Sequence, residues 1–177
     1  MLISLAICVA TFVVIVVLIL LYASTKPDIY HVERSIQIQA SPEAIFPLVN
    51  DLHQWERWTP YNKDPAMQKT YSGSGSGPGA HYAWSGNKQV GQGEISIRSV
   101  APPSQLVFDL HMIKPFQGRN VATFSLDAEG AGTRVTWSLD DRHTLLLKVI
   151  SLFLNLDKMI GKDFEAGLAK LKTVSES

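Results

Sequence analysis

The stretch over residues 32–61, VERSIQIQASPEAIFPLVNDLHQWERWTPY, decides the fold. It opens inside 31–39, where apolar Val32, Ile36 and Ile38 alternate with polar neighbours and Arg34 alone breaks the apolar side. Alternation at period two is the pattern of a half-buried strand. Ser41, Pro42 and Glu43 then supply a helix N-cap, a proline at the first helical position and an acid in the first turn. These predict a helix over 42–50, followed by a second short helix over 51–58 that ends before Pro60.

From 66 to 142 the period stays at two. Candidate strands span 66–71, 80–85, 93–100, 105–114, 119–127 and 133–140. The connections 73–79, 85–91, 101–104, 115–118 and 128–132 are short and rich in Gly, Pro, Ser or Asn. Such links fit antiparallel hairpins, because parallel crossovers need about a dozen residues or more. Beyond this region the period turns helical. Val149, Leu152, Phe153, Leu156, Ile160, Phe164, Leu168 and Leu171 recur at steps of three and four, with Lys and Asp off the stripe. The segment 145–156 is apolar on more than one side, yet its twelve residues include Lys148 and Asn155 and are too few to span a bilayer. It reads as a buried helix, covered on several sides or touching the bilayer.

The order is one strand, two small helices, six strands and one long helix, an α+β fold. A seven-stranded antiparallel sheet has an apolar face to cover, and the last helix is the large element able to cover it. A curved sheet around that helix leaves a hollow between the sheet, the helix and the two small helices.

The N-terminal stretch 2–22, LISLAICVATFVVIVVLILLY, starts at Leu2, ends on Tyr22 and carries no charge. As a helix it is about 32 Å long, close to the roughly 30 Å of bilayer hydrocarbon. Fifteen of its residues are Leu, Ile, Val or Phe. At the centre of a membrane these favour insertion by about −4 to −9 kcal/mol in sum, an upper bound because end positions count less. A cleaved secretory signal is the competing reading, with Ala23 and Thr25 mimicking a weak cleavage site. Against it stand an n-region without Lys or Arg and an apolar run longer than such signals use. The expected partner of this stretch is the membrane. Lys26 and Arg34 follow it, so the positive-inside tendency places the rest of the chain on the cytoplasmic side.

Sixteen basic and sixteen acidic residues leave no net charge, and no run of Lys or Arg predicts a hold on nucleic acid. The single cysteine, Cys8, lies in the apolar N-terminal stretch, which excludes an internal disulfide and argues against thiol chemistry.

Four strings bear a resemblance to a known family: the opening one over 32–61, YAWSGNKQVGQGEI over 82–95, GTRVTWSLD over 132–140 and DKMIGKDFEAGLAKLK over 157–172. Together with the element order they resemble the SRPBCC superfamily of START-like, helix-grip domains, and more narrowly its bacterial polyketide cyclase/dehydrase-type members. The resemblance covers about 32–172 and implies a sheet curved around the long C-terminal helix, with a cavity for a small, largely apolar ligand. It does not fix an activity, because carriers, cyclases and chaperone regulators share such folds. The resulting organisation is an anchor with its flank over 1–25, a linker over 26–31 and the START-like domain over 32–174.

Catalytic signatures are missing. His31, His53, His81, His111 and His143 show no H-x-x-x-H spacing, and no G-x-S-x-G elbow is present. GSGSGPG over 73–79 joins two strands, whereas a phosphate loop opens a helix. Gly91 and Gly93 mark a turn or bulge. Asp109 and His111 share a strand face, but Leu106, Phe108, Leu110 and Met112 claim the inner one, which leaves the pair in solvent. Trp55, Trp58 and Tyr61 cluster after the second small helix. Tyr82 and Trp84 share a strand face, and Phe108, Phe124 and Trp137 fall on inward faces. These, with Phe153 from the C-terminal stripe, are the candidate pocket lining, since large aromatic rings with a polar tip suit it. Asn120 shares the inward face of Ala122, Phe124 and Leu126 and is a candidate polar contact.

The expected function is membrane-tethered binding of a hydrophobic small molecule such as a lipid, quinone or polyketide-like compound, with no cofactor and no catalytic residue assigned. A cyclase or dehydratase acting in the same cavity, and a scaffold for another membrane protein, are the alternatives. The sequence specifies no protein partner.

Overall fold

The computed structural model describes residues 2–115, 117–142 and 144–177, with side chains from Ser4 onward. Helix α1 (Leu2–Ser24) leads into β1 (Ile29–Ile38), α2 (Pro42–Asn50) and a 3-10 turn (Gln54–Arg57). Strands β2 (Gln68–Gly73), β3 (Ala80–Ser85), β4 (Gln92–Ala101), β5 (Gln105–Lys114), β6 (Gly118–Glu129) and β7 (Gly132–Arg142) follow, then α3 (Leu145–Ser151) and α4 (Leu156–Ser175). Phe116, in the expected 115–118 turn, and His143 lie outside the described residues.

The sheet order is β1-β7-β6-β5-β4-β3-β2, antiparallel throughout. Strands β2 to β7 therefore form a meander, and β1 closes it by pairing with β7. The register matches Ile29 with Arg142, Gln92 with Lys114 and Ser85 with Gln92. It thus brings the start of β1, the end of β7, the 86–91 turn and the end of β5 to one end of the sheet. Helix α1 departs from that end.

Helix α4 packs along β1. Arg34, the polar intruder on the apolar side of β1, explains how. Its Nη2 meets Asp157 Oδ2 and its Nε meets Glu165 Oε1, both at 2.9 Å. The guanidinium occupies the place a Cβ would take on Gly161, between those two acids on α4. A glycine there lets the helix sit close to the strand while the charge stays paired. Leu168 and Leu171 on α4, and Phe108, Phe124 and Leu126 on the sheet, are fully buried.

Two expectations are corrected. The second small helix shortens to the four-residue 3-10 turn, because Asp51 Oδ1 accepts from His53 N at 2.9 Å and draws the chain into a tight bend. The turn still does a helix-capping job. Trp55 Nε1 donates to Val49 O at 2.8 Å and Trp58 Nε1 to Leu48 O at 2.9 Å, satisfying carbonyls that the end of α2 leaves open. The C-terminal stripe is not one helix from Val149 onward. It breaks between Ser151 and Leu156, where Asn155 Oδ1 accepts from Lys158 N at 2.8 Å and caps a new helix. Consequently α3 is not a buried helix, since Leu145 and Leu146 are exposed.

Candidate ligand cavity

A cavity of about 380 Å³ lies between the sheet, the 3-10 turn and α4. Its walls are predominantly apolar. Leu52 closes it on the small-helix side, Ala122, Trp137 and Leu139 come from β6 and β7, and Ile160 and Phe164 come from α4. One wall is an aromatic ladder. Tyr71 stacks on Tyr82 at 4.9 Å and Tyr82 on Trp84 at 5.7 Å between ring centroids. Alternation on β3 puts Tyr82 and Trp84 on one face, and the register sets Tyr71 of β2 opposite Tyr82. Gly93 on β4 makes room for Trp84, since a Cβ there would meet its ring at 2.6 Å. The register also shifts between Gln92 and Gly93, the bulge that the glycines predicted. The exposed lining residues Glu56, Tyr61, Asn62, Lys88, Gln89 and Pro115 mark the mouth.

Of the residues expected to line a pocket, Trp55, Tyr61, Tyr82, Trp84, Asn120 and Trp137 do so. Trp58, Phe108 and Phe124 are fully buried and fill the core instead. There Phe124 stacks on Trp137 at 4.8 Å and so backs the cavity wall. Phe153 is a correction. It is 72% exposed because the helix stops before it, and the stripe no longer turns it inward. Tyr71, Met67 and Glu56 line the cavity without having been singled out. Tyr71 is set there by its cross-strand pairing with Tyr82, which alternation along a single strand does not give.

Polar groups in the cavity are few. Glu56 Oε1 accepts from Lys69 Nζ at 2.9 Å and from Tyr71 OH at 3.2 Å. The Lys69 contact holds the Glu56 carboxyl below its usual range. Burial raises Tyr82 to about 12 and raises Tyr71 as well, so these phenols stay protonated at neutral pH. In the amide orientation that satisfies its neighbours, Asn120 Nδ2 donates to Asp141 Oδ1 at 2.6 Å. Trp137 is sandwiched between Phe124 and Phe164, the latter stacked on it at 4.1 Å, and its buried Nε1 has no hydrogen-bond partner among the described residues.

The other titratable pairs lie apart from this lining. Asp109 pairs with Arg98, and His111 Nδ1 lies 3.0 Å from Glu94 Oε1, which fits the outward face expected for both. Among the described residues no group of three or more His, Cys, Asp or Glu side chains is placed to hold a metal ion.

An antiparallel sheet that grips a C-terminal helix over a cavity defines a helix-grip, START-like domain. The chain belongs to the polyketide cyclase/dehydrase and lipid transport family, whose model matches residues 30–176. Solved structures share the fold at low identity. Protein CV1439 from Chromobacterium violaceum is 11% identical with a TM-score of 0.60, over 86% of this chain and 99% of that one. The Aha1 dimer from Colwellia psychrerythraea is 16% identical with a TM-score of 0.60, over 83% of this chain and 96% of that one. The di-domain ARO/CYC BexL from the BE-7585A biosynthetic pathway is 12% identical with a TM-score of 0.63, over 89% of this chain and 53% of that one. Comparison with curated proteins gives no match.

Proposed function

We propose that the protein is a membrane-tethered binding module that holds a hydrophobic small molecule, a lipid, quinone or polyketide-like compound, in its cavity. The observation that carries this reading is the cavity wall itself. It is predominantly apolar and outlines about 380 Å³. Small-molecule sites run from about 300 to 1,000 Å³ and combine apolar lining with a few orienting polar groups. Helix α1 is the one helix among the described residues long and apolar enough to cross a membrane. As an anchor it raises the local concentration of the domain beside a membrane-dissolved ligand. Lys26 and Arg34, the first basic residues after it, support a cytoplasmic domain.

The contact between Glu56 and Tyr71 favours a second reading, a cyclase or dehydratase with an acid–base pair at the cavity. General acid–base groups work best with a pKa near the operating pH. Here the carboxyl is pushed down and the phenol up, away from neutrality on both sides. Binding is therefore the better supported reading.

Tryptophan fluorescence tests it in the full chain, because all four tryptophans lie in the domain and Trp55, Trp84 and Trp137 line the cavity. A brominated long-chain fatty acid added to detergent-solubilised protein should quench the emission and saturate at one equivalent. Quenching that rises without saturation, or none, would reject a defined apolar site.

A further inference from the structure

Outside α1, the large apolar side chains that remain exposed gather largely at the end of the domain from which α1 departs. Ile29 is 64% exposed, Leu146 61% and Phe153 72%, with Leu145, Leu154 and Met159 beside them in the sequence. Exposed apolar groups concentrated in one region mark an interaction surface. The contacts of α1 indicate what covers it.

Helix α3 packs against α1. Along α1 the described side chains are exposed except at Ile19, which is half-buried, and Ala23, which is buried, one helical turn apart on the same face. Ile19 lies about 7.5 Å of helix, at 1.5 Å per residue, before the end of α1 at Ser24. Interfacial helices bury their apolar faces about 5–10 Å into the boundary between headgroups and acyl chains. An α1 that spans the bilayer therefore holds α3 at that depth. The charge on α3 is turned away from its exposed side. Lys148 is buried, with its Nζ donating to Lys26 O at 2.8 Å and meeting Asp28 Oδ1 at 2.5 Å. Leu145 and Leu146 are left as an apolar surface. One side of the cavity mouth lies at the same end, where Lys88 and Gln89 come from the 86–91 turn and Pro115 follows β5.

We propose that α3 and the turn after it, with Leu145, Leu146, Phe153 and Leu154, lie in the bilayer interface beside the end of α1 and set the cavity mouth against the lipid surface. This rests on the reading of α1 as a membrane span. The occupant of the patch is the lipid surface, and the ligand passes between bilayer and cavity without crossing bulk water.

The test uses the full chain with Cys8→Ser in phosphatidylcholine vesicles. An environment-sensitive fluorophore is placed in turn at Val14→Cys, Leu146→Cys, Gln89→Cys and Ala131→Cys. Nitroxide-bearing lipids should abolish most emission at positions 14 and 146. A headgroup nitroxide should quench position 89, and position 131, in the turn after β6 at the far end, should respond only to aqueous iodide. Quenching by lipid at 14 with iodide access at 146 would overturn the inference and leave the anchor standing. Loss of lipid quenching at 14 would remove the anchor reading and the inference with it. Shielding of 146 from lipid and iodide alike would assign the patch to a protein partner or a second copy, against the proposal. Iodide access alone at 89 would overturn the placement of the mouth.

Discussion

Ala122→Leu adds three carbons at the cavity wall, and the sign of its effect depends on whether that space is empty. Ala122 is 4% exposed and lines the cavity beside Trp137 and Leu139. Burying three carbons at about 0.8 kcal/mol each stabilises by at most about 2.4 kcal/mol. Residual burial in the unfolded chain trims this by roughly 10–40%. Ordering the Leu rotamers costs a further 0.5–1 kcal/mol or so. About 1 kcal/mol of net stabilisation remains, which for a domain of this size raises Tm by about 2–4 °C. Thermal unfolding of delipidated full-length protein, followed by tryptophan emission, measures it. A site already packed would respond in the opposite direction, with overpacking costing about 1–3 kcal/mol. A lower Tm for Ala122→Leu would thus refute the cavity.

Two further outcomes follow from named contacts. Gly161→Ala should not deliver the usual gain of about 1 kcal/mol for Gly to Ala in a helix, because its Cβ displaces the Arg34 guanidinium from between Asp157 and Glu165. The gain should return in an Arg34→Met background, read by denaturant unfolding of both. Its hydrogen bond to Arg34 holds the Asp157 carboxyl below its usual range, so the unfolded chain binds the proton more tightly. That stability is present at neutral pH and lost as pH falls below the ordinary aspartate value near 4, and the acid limb of stability against pH should be shallower in Arg34→Met.

The fold was legible where one local rule acted alone. The cap at Ser41, Pro42 and Glu43 located α2 as Pro42–Asn50, and period-two alternation located β3 and β5 to the residue. Boundaries drifted where side-chain hydrogen bonds compete with the helix. Asn155 looked like an interruption of an apolar run but is the cap of α4. Reading through it turned Phe153 inward and hid the exposure of α3. The cavity was legible through parity on single strands, as with Tyr82 and Trp84. It was not legible where lining depends on register between strands, as for Tyr71, or on a loop crossing to the sheet, as for Glu56 and Met67. Trp58 and Phe124 show the converse, since parity or clustering turns a ring inward without deciding whether it meets the cavity or the core.

The most direct test of the central claim is native mass spectrometry of the full chain released from its own membranes, with wild type and Ala122→Leu side by side. A reproducible added mass of an apolar compound on wild type, lost or much reduced in the variant, is the predicted result. The same mass on both proteins, or none on wild type after lipids and quinones are supplied, would contradict ligand binding in this cavity.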